Sequence, residues 1–206
     1  MKNALNIPNQ ITIARLALAV VFFVVLSQYA HGVSPTWKLD LAAAIFILAA
    51  ASDFLDGYLA RKWGQVTPLG RILDPMVDKI LVCGAFILFL DIGFIDKNGR
   101  NVTEMQAWMV LVIVGRELLV TGLRGFNEAQ GRAFGAGLHG KLKMWLQCIA
   151  APAVLLLIAH EDALMSAATA ATTKKFLIWA TVVVTALSML QYLARSRHIL
   201  DESRTS

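Results

Sequence analysis

Apolar residues along this chain gather in blocks, each about the length of a helix that meets lipid rather than water. Six are read, at roughly 11–30, 39–60, 76–95, 105–123, 145–160 and 175–194, with short polar stretches between them. A helix needs about 20 such residues to cross the hydrocarbon core, where every backbone polar group must find its partner inside the segment. The pattern predicts an all-α polytopic membrane protein with six transmembrane helices, folded as a single domain over residues 1–206. No long linker, low-complexity tail or internal repeat interrupts it. The opening MKNALNIPNQ, broken by Pro8, is expected to lie along the membrane surface as a short interfacial segment. The first block is longer than a signal-peptide core and has no clear small-residue cleavage site, so it reads as a mature helix.

Composition and charge refine this picture. With 57% hydrophobic and 16% charged residues, the chain is too apolar for an ordinary soluble domain. The net charge of +5 could suggest a nucleic-acid partner, but the basic residues form no long run and follow alternate loops. With the amino terminus in the cytoplasm, 14 of the 19 Lys and Arg fall on that side; Lys38, Lys97, Arg100, Lys174 and Lys175 fall on the other. The positive-inside rule then places both termini and the connections at 61–75 and 124–143 in the cytoplasm, and no nucleic acid is needed to explain the charge. DKNGRNVT at 96–103 reads as an external turn, and the glycine-rich, basic stretch 124–143 as a candidate binding loop. Cys83 and Cys148 lie in apolar blocks, where cysteine acts as a small hydrophobe. Gly135, Gly137 and Gly140 fit GxGxxG, but no strand precedes them and a dinucleotide site is rejected.

Candidate chemistry sits at the end of the second block and the start of the third, AASDFLDGYLARKWGQVTPLGRILDPMVDKI. Asp53, Asp56, Asp74 and Asp78 stand there in strongly apolar surroundings. Asp53 and Asp56 are one helical turn apart, as are Asp74 and Asp78, so each pair shares a face. Residues 63–71, with Gly64, Pro68 and Gly70, read as a short turn, so the two helices are expected to run antiparallel with both pairs at the cytoplasmic end. Four carboxylates packed together would repel one another and lose hydration, whereas two divalent cations would cancel their formal charge. Oxygen ligands without His or Cys favour Mg²⁺ or Mn²⁺ over zinc and leave calcium open as an alternative. Gly57 and Ala60 leave room for a ligand near the backbone, and Arg61 offers a planar fork to phosphate oxygens.

The run Asp53-x-x-Asp56-Gly57-x-x-Ala60-Arg61, then Gly70, Asp74 and Asp78, resembles the signature of the CDP-alcohol phosphotransferase family. NIPNQITIAR at 6–15, GRELLVTGLR at 115–124, GKLK at 140–143 and SMLQYL at 188–193 are similar to segments of those members that use glycerol 3-phosphate. Met144, where threonine is common, and the glycine-rich 125–139 depart from them. The resemblance implies a six-helix, homodimeric enzyme of the bacterial inner membrane with its active site facing the cytoplasm among membrane lipids. It would move a phosphatidyl group from CDP-diacylglycerol to glycerol 3-phosphate, giving phosphatidylglycerophosphate and CMP. It implies that Asp53, Asp56 and Asp74 bind metal, that Asp78 combines metal binding with general-base work, and that Gly57, Ala60, Arg61 and Gly70 line the CDP moiety.

An acceptor that carries a phosphate needs cations of its own. Arg116 and Lys141, then Arg124 and Lys143, are the candidates, and Glu117 is expected to pair with a neighbouring cation. Asn9, Thr12 and Arg15, at helical spacing of three, are candidates for headgroup contact from the first span. Two alternatives stand beside this reading. One keeps the donor and changes the acceptor to inositol phosphate, serine or phosphatidylglycerol. The other is a metal-ion transporter, which would need polar residues along a path through the bilayer, whereas here the acids cluster at one end.

Overall fold

The structure, a computed structural model, describes residues 7–63, 68–129, 138–164 and 166–202, with side chains described at 10–53, 76–127, 140, 142–161, 163 and 166–194. Among the described residues there are six long helices and one of four residues: α1 (Ile7–Ser27), α2 (Trp37–Trp63), α3 (Pro68–Leu88), α4 (Ala107–Ala129), α5 (Leu138–Ala159), α6 (Glu161–Leu164) and α7 (Ala167–Glu202). Extended pairing is limited there to one isolated bridge, Ile95 with Asn101. The all-helical class expected from the apolar blocks is therefore observed.

Helix ends follow local chemistry. Pro68 opens α3, where its fixed φ and missing N–H cost nothing. Ser166 precedes α7 and accepts from the Thr169 N–H at 3.3 Å, satisfying one of the orphan donors of the first turn. Between α3 and α4 the chain makes a 3₁₀ turn at Ile92–Phe94, capped by the Asp91 carboxylate, which accepts from Gly93 N–H at 2.8 Å. Asn101 Nδ2 and Thr103 Oγ1 both donate to the Phe89 carbonyl, at 2.7 and 3.1 Å, closing the polar turn that the sequence announced around Gly99. Main-chain N–H groups of Arg100 and Asn98 hold the Asp96 carboxyl in that turn below its ordinary value.

Two sequence expectations need correction. Most of the expected loop at 124–143 is helix, since α4 continues to Ala129 and α5 begins at Leu138. The expected turn at 63–71 is likewise shorter, because α2 reaches Trp63 and α3 starts at Pro68. In both places the helix extends past its apolar block through charged or polar positions, Arg124 and Asn127 in α4 and Arg71 and Asp74 in α3. Residues 64–67 and 130–137, with the first half of the GxGxxG run, lie outside the described residues, as does most of the expected interfacial start.

The core is built around α1, which packs against both α2 and α3, while α2 also packs on α5 and α7 on α4 and α5. Ala19, Phe22 and Leu26 of α1 meet Ala42, Phe46 and Ala49 of α2 and Phe86 and Phe89 of α3 in one buried cluster. Phe22 and Phe46 rings meet edge to face at 5.6 Å. Among the described residues α1 contacts α2 and α3 more extensively than those two contact each other.

Among the described residues, three stretches are long and apolar enough to cross a membrane: Gln10–Ser27, Leu142–Ala159 and Ala167–Ala194. The other three long helices carry the candidate chemistry: α2 contains Asp53 and Asp56, α3 contains Asp74, Asp78 and Lys79, and α4 contains Arg116, Glu117 and Arg124.

Candidate functional site

Asp53, toward the C-terminal end of α2, and Asp78, in the first half of α3, are both partly buried. Asp56 and Asp74 belong to the same two helices, but their side chains lie outside the described residues, as do those of Arg61, Lys141 and Asn9. Gly57, Ala60 and Gly70 fall in the same stretches of α2 and α3. The site is therefore built here from the groups around Asp53 and Asp78.

Arg15 reaches from α1 to donate through Nη1 to Asp53 Oδ1 at 2.5 Å. Its side chain is 1% exposed and that of Asp53 25% exposed, so the cation is sequestered while the acid keeps an open edge. Thr12, one turn before Arg15, is also buried on the inward face of α1. Of the residues at that spacing, Arg15 meets an acid of the site and Thr12 is buried one turn before it. An aspartate gripped in this way has one oxygen edge oriented by the guanidinium and the other available to a ligand.

Asp78 lies where charges from four other helices meet: Asp53 of α2, Lys143 of α5, Arg15 of α1 and Glu117 of α4 all act on it. Lys79, beside it, is within the field of Glu117, Arg124 and Lys143. The acid pairs and the basic residues of 116–143, far apart in sequence, therefore share one electrostatic neighbourhood.

The basic side of this neighbourhood is a buried network. Glu117 Oε1 accepts from Lys143 Nζ and, at 3.3 Å, from Arg116 Nη1. All three residues are 6–7% exposed. Among the described residues two cations thus share one carboxylate in an apolar bundle, where an unpaired charge is expensive. Arg116 Nε donates to Ser188 Oγ of α7 at 3.0 Å, and Ser188 Oγ donates in turn to the Thr185 carbonyl at 2.8 Å. Gln147 Nε2 of α5 donates to Thr185 Oγ1 at 3.3 Å. The remaining guanidinium nitrogen, Arg116 Nη2, faces Gly140, where a Cβ would stand 3.8 Å away. Nearby on α4, Arg124 Nε and Asn127 Nδ2 are buried with no hydrogen-bond partner among the described residues.

Of the predicted basic residues, Arg116, Lys143 and Arg124 are thus gathered at this end of α4 and α5. The expected pairing of Glu117 with a neighbouring cation is present twice over. Ser188, Thr185 and Gln147 were missed as individual residues. The signal that could have found them is the stripe Thr181, Thr185, Ser188 and Tyr192 on the last apolar block, polar positions spaced by four, three and four that share one helical face.

Two apolar grooves flank the site. One, of about 470 Å³, follows the α2–α5 seam from Ala51 and Met144 past Cys148 to Leu156. The other, of about 670 Å³, lies between α3 and α4, with Ile80, Gly84, Ile87 and Leu118 along it and Lys79, Glu117 and Thr121 at its polar end. The donor set suits a hard divalent cation: Asp53 and Asp78 offer carboxylate oxygens, with Asp56 and Asp74 on the same helices. Among the described residues no group of three or more His, Cys, Asp or Glu could hold a metal ion. Two of the four acids stand outside them.

A family model described as CDP-alcohol phosphatidyltransferase matches residues 5–196 of the chain. A CDP-diacylglycerol–glycerol-3-phosphate 3-phosphatidyltransferase of Bacillus subtilis (strain 168) is 39% identical over 158 residues, covering 73% of this chain and 77% of the relative. An enzyme of the same name from Rickettsia bellii (strain RML369-C) is 37% identical over 76% of this chain and 78% of its own length. Another from Sodalis glossinidius (strain morsitans) is 31% identical, with 96% of this chain and 98% of the relative aligned.

Proposed function

The chain belongs to the CDP-alcohol phosphatidyltransferase family, and from that premise we propose that it transfers a phosphatidyl group from CDP-diacylglycerol to glycerol 3-phosphate, releasing CMP. One observation carries the reading on the side of the site: Asp53 and Asp78 share a neighbourhood with the buried cations Arg116 and Lys143. An acid cluster suits a metal–diphosphate donor, and a pair of buried cations suits the phosphate of the acceptor. A transporter would need neither the family signature nor the cation group.

Asp53, Asp56, Asp74 and Asp78 would hold Mg²⁺ or Mn²⁺, two ions by charge balance, and the metal would supply neutralisation of the diphosphate and of the departing CMP. Arg15 orients Asp53. Gly57, Ala60 and Gly70 leave space for the CDP moiety and Arg61 donates to its phosphates. Asp78 takes the proton from the acceptor hydroxyl as its oxygen attacks the phosphatidyl phosphorus, and the bond from that phosphorus to the CMP oxygen breaks. Arg116 and Lys143, with Arg124 and Lys141, bind the acceptor's phosphate. The α2–α5 groove, about 18 Å along α5 from Met144 to Leu156, takes an acyl chain of the donor. The long helices form six spans of a bacterial inner-membrane homodimer, with both termini and the site cytoplasmic.

The deciding experiment supplies purified protein with CDP-diacylglycerol and Mg²⁺, varies the acceptor among glycerol 3-phosphate, inositol phosphate, serine and phosphatidylglycerol, and follows CMP and lipid product. CMP release that depends on glycerol 3-phosphate is expected. Release with only another alcohol would overturn the acceptor, and no acceptor-dependent release would overturn the enzyme.

A further inference from the structure

We infer that Ser188, on α7, is a positioning residue for the acceptor's phosphate, acting through Arg116; the inference rests on the assignment of Arg116 to that phosphate. A serine hydroxyl has one proton and two lone pairs. The Ser188 proton goes to the Thr185 carbonyl at 2.8 Å, so toward Arg116 the oxygen can only accept, which it does from Nε at 3.0 Å. The guanidinium is planar and its five donors are fixed relative to one another. With Nε held by Ser188 and Nη1 held by Glu117, the plane is fixed at two points and cannot turn about the side-chain axis. The third nitrogen, Nη2, is thereby aimed at Gly140, the one position of GKLK with no side chain to cover it.

Burial makes the arrangement exacting. Ser188 is 4% exposed, Gln147 1% and Thr185 0%, and these polar side chains sit among apolar helices at the point where α4, α5 and α7 meet. A packed apolar seam would hold the helices together without them, and each buried polar group must be matched to avoid a penalty. What the network adds is direction: it fixes the orientation of a cation next to a second cation, Lys143, on the same carboxylate. An oriented Arg116 donor beside a glycine, with Lys143 held on the same carboxylate, suits a tetrahedral oxyanion, and a change in the guanidinium's angle weakens recognition of that anion without touching the acids that handle the donor.

The test measures KM for glycerol 3-phosphate and for CDP-diacylglycerol, and kcat, in wild type, Ser188→Ala, Ser188→Thr, Arg116→Lys and the double variant Ser188→Ala/Arg116→Lys. Ser188→Ala is expected to raise the acceptor KM about tenfold, the size of one lost hydrogen bond to a charged group, with the donor KM unchanged. Ser188→Thr, which keeps the hydroxyl, restores it. Lysine has no Nε donor at that place, so Ser188→Ala adds no further rise in the Arg116→Lys background. If Arg116→Lys raises the acceptor KM while Ser188→Ala does not, the positioning role is overturned and the phosphate assignment stands. If neither variant moves the acceptor KM, the phosphate assignment itself is overturned. If Ser188→Ala changes both KM values and kcat together and threonine does not restore them, the hydroxyl serves only to hold the fold.

Discussion

At Asp78 a carboxylate lies between two like charges, Asp53 and Glu117, and two opposite ones, Lys143 and Arg15. Asparagine there keeps the volume and removes the proton acceptor. Asp78→Asn is expected to lower turnover by about 10²–10⁴-fold, the usual worth of a general base, while melting temperature and CDP-lipid binding are retained. CMP release read beside donor binding checks this, and wild-type turnover would remove Asp78 from the mechanism. The acids were legible in the sequence because each stands in apolar surroundings, where a charge has a functional reason by default. Their partners were not. Arg15 is 38 residues from Asp53 and Ser188 is 72 from Arg116, separations that no local spacing rule connects. Glu117 was expected to meet a cation, but that it would join Arg116 to Lys143 depends on how α4 and α5 pack.

At the scale of elements, the apolar blocks located the six long helices and misjudged their ends. A block marks the part of a helix suited to lipid, while the backbone ladder runs past it, tolerating Gly70 and Pro75 in α3, Gly122 and Gly125 in α4, and Gly140 and Pro152 in α5. Hence α4 runs on through Arg124 and Asn127, and α5 starts seven residues before the block that announced it. The connection after α3 depends on a close backbone approach instead. A Cβ on Gly93 would stand 2.0 Å from the Tyr29 carbonyl oxygen, a main-chain atom that cannot rotate away, and the Gly93 carbonyl accepts from His31 N–H at 2.7 Å. Gly93→Ala is expected to destabilise the protein by about 1–3 kcal/mol, read as a lower midpoint of thermal unfolding in detergent. An unchanged midpoint would mean that the 3₁₀ turn and the end of α1 part without cost.

For the whole molecule, α2, α3 and α4 carry the acids and most of the cations around them, and among the described residues α1, α5 and α7 include stretches apolar enough to cross a membrane. The proposed six spans require both termini on one face and the turn at Asn98 on the other. A cysteine at position 98, in a variant without Cys83 and Cys148, should react with a membrane-impermeant maleimide from outside intact cells, while tags at either terminus stay shielded until the membrane is opened. Tags that become accessible on opposite faces would rule out an even number of spans. That α1 would pack on both α2 and α3 was not legible, since its sequence is apolar on nearly every side.

The Arg15–Asp53 pair also bears on how α1 and α2 find each other in a bilayer. Each helix brings one half of the pair. Apart, each would carry its charge into lipid without a counter-ion, which is costly. Docked, guanidinium and carboxylate cancel, so the same contact that orients an acid of the site also favours association of the two helices.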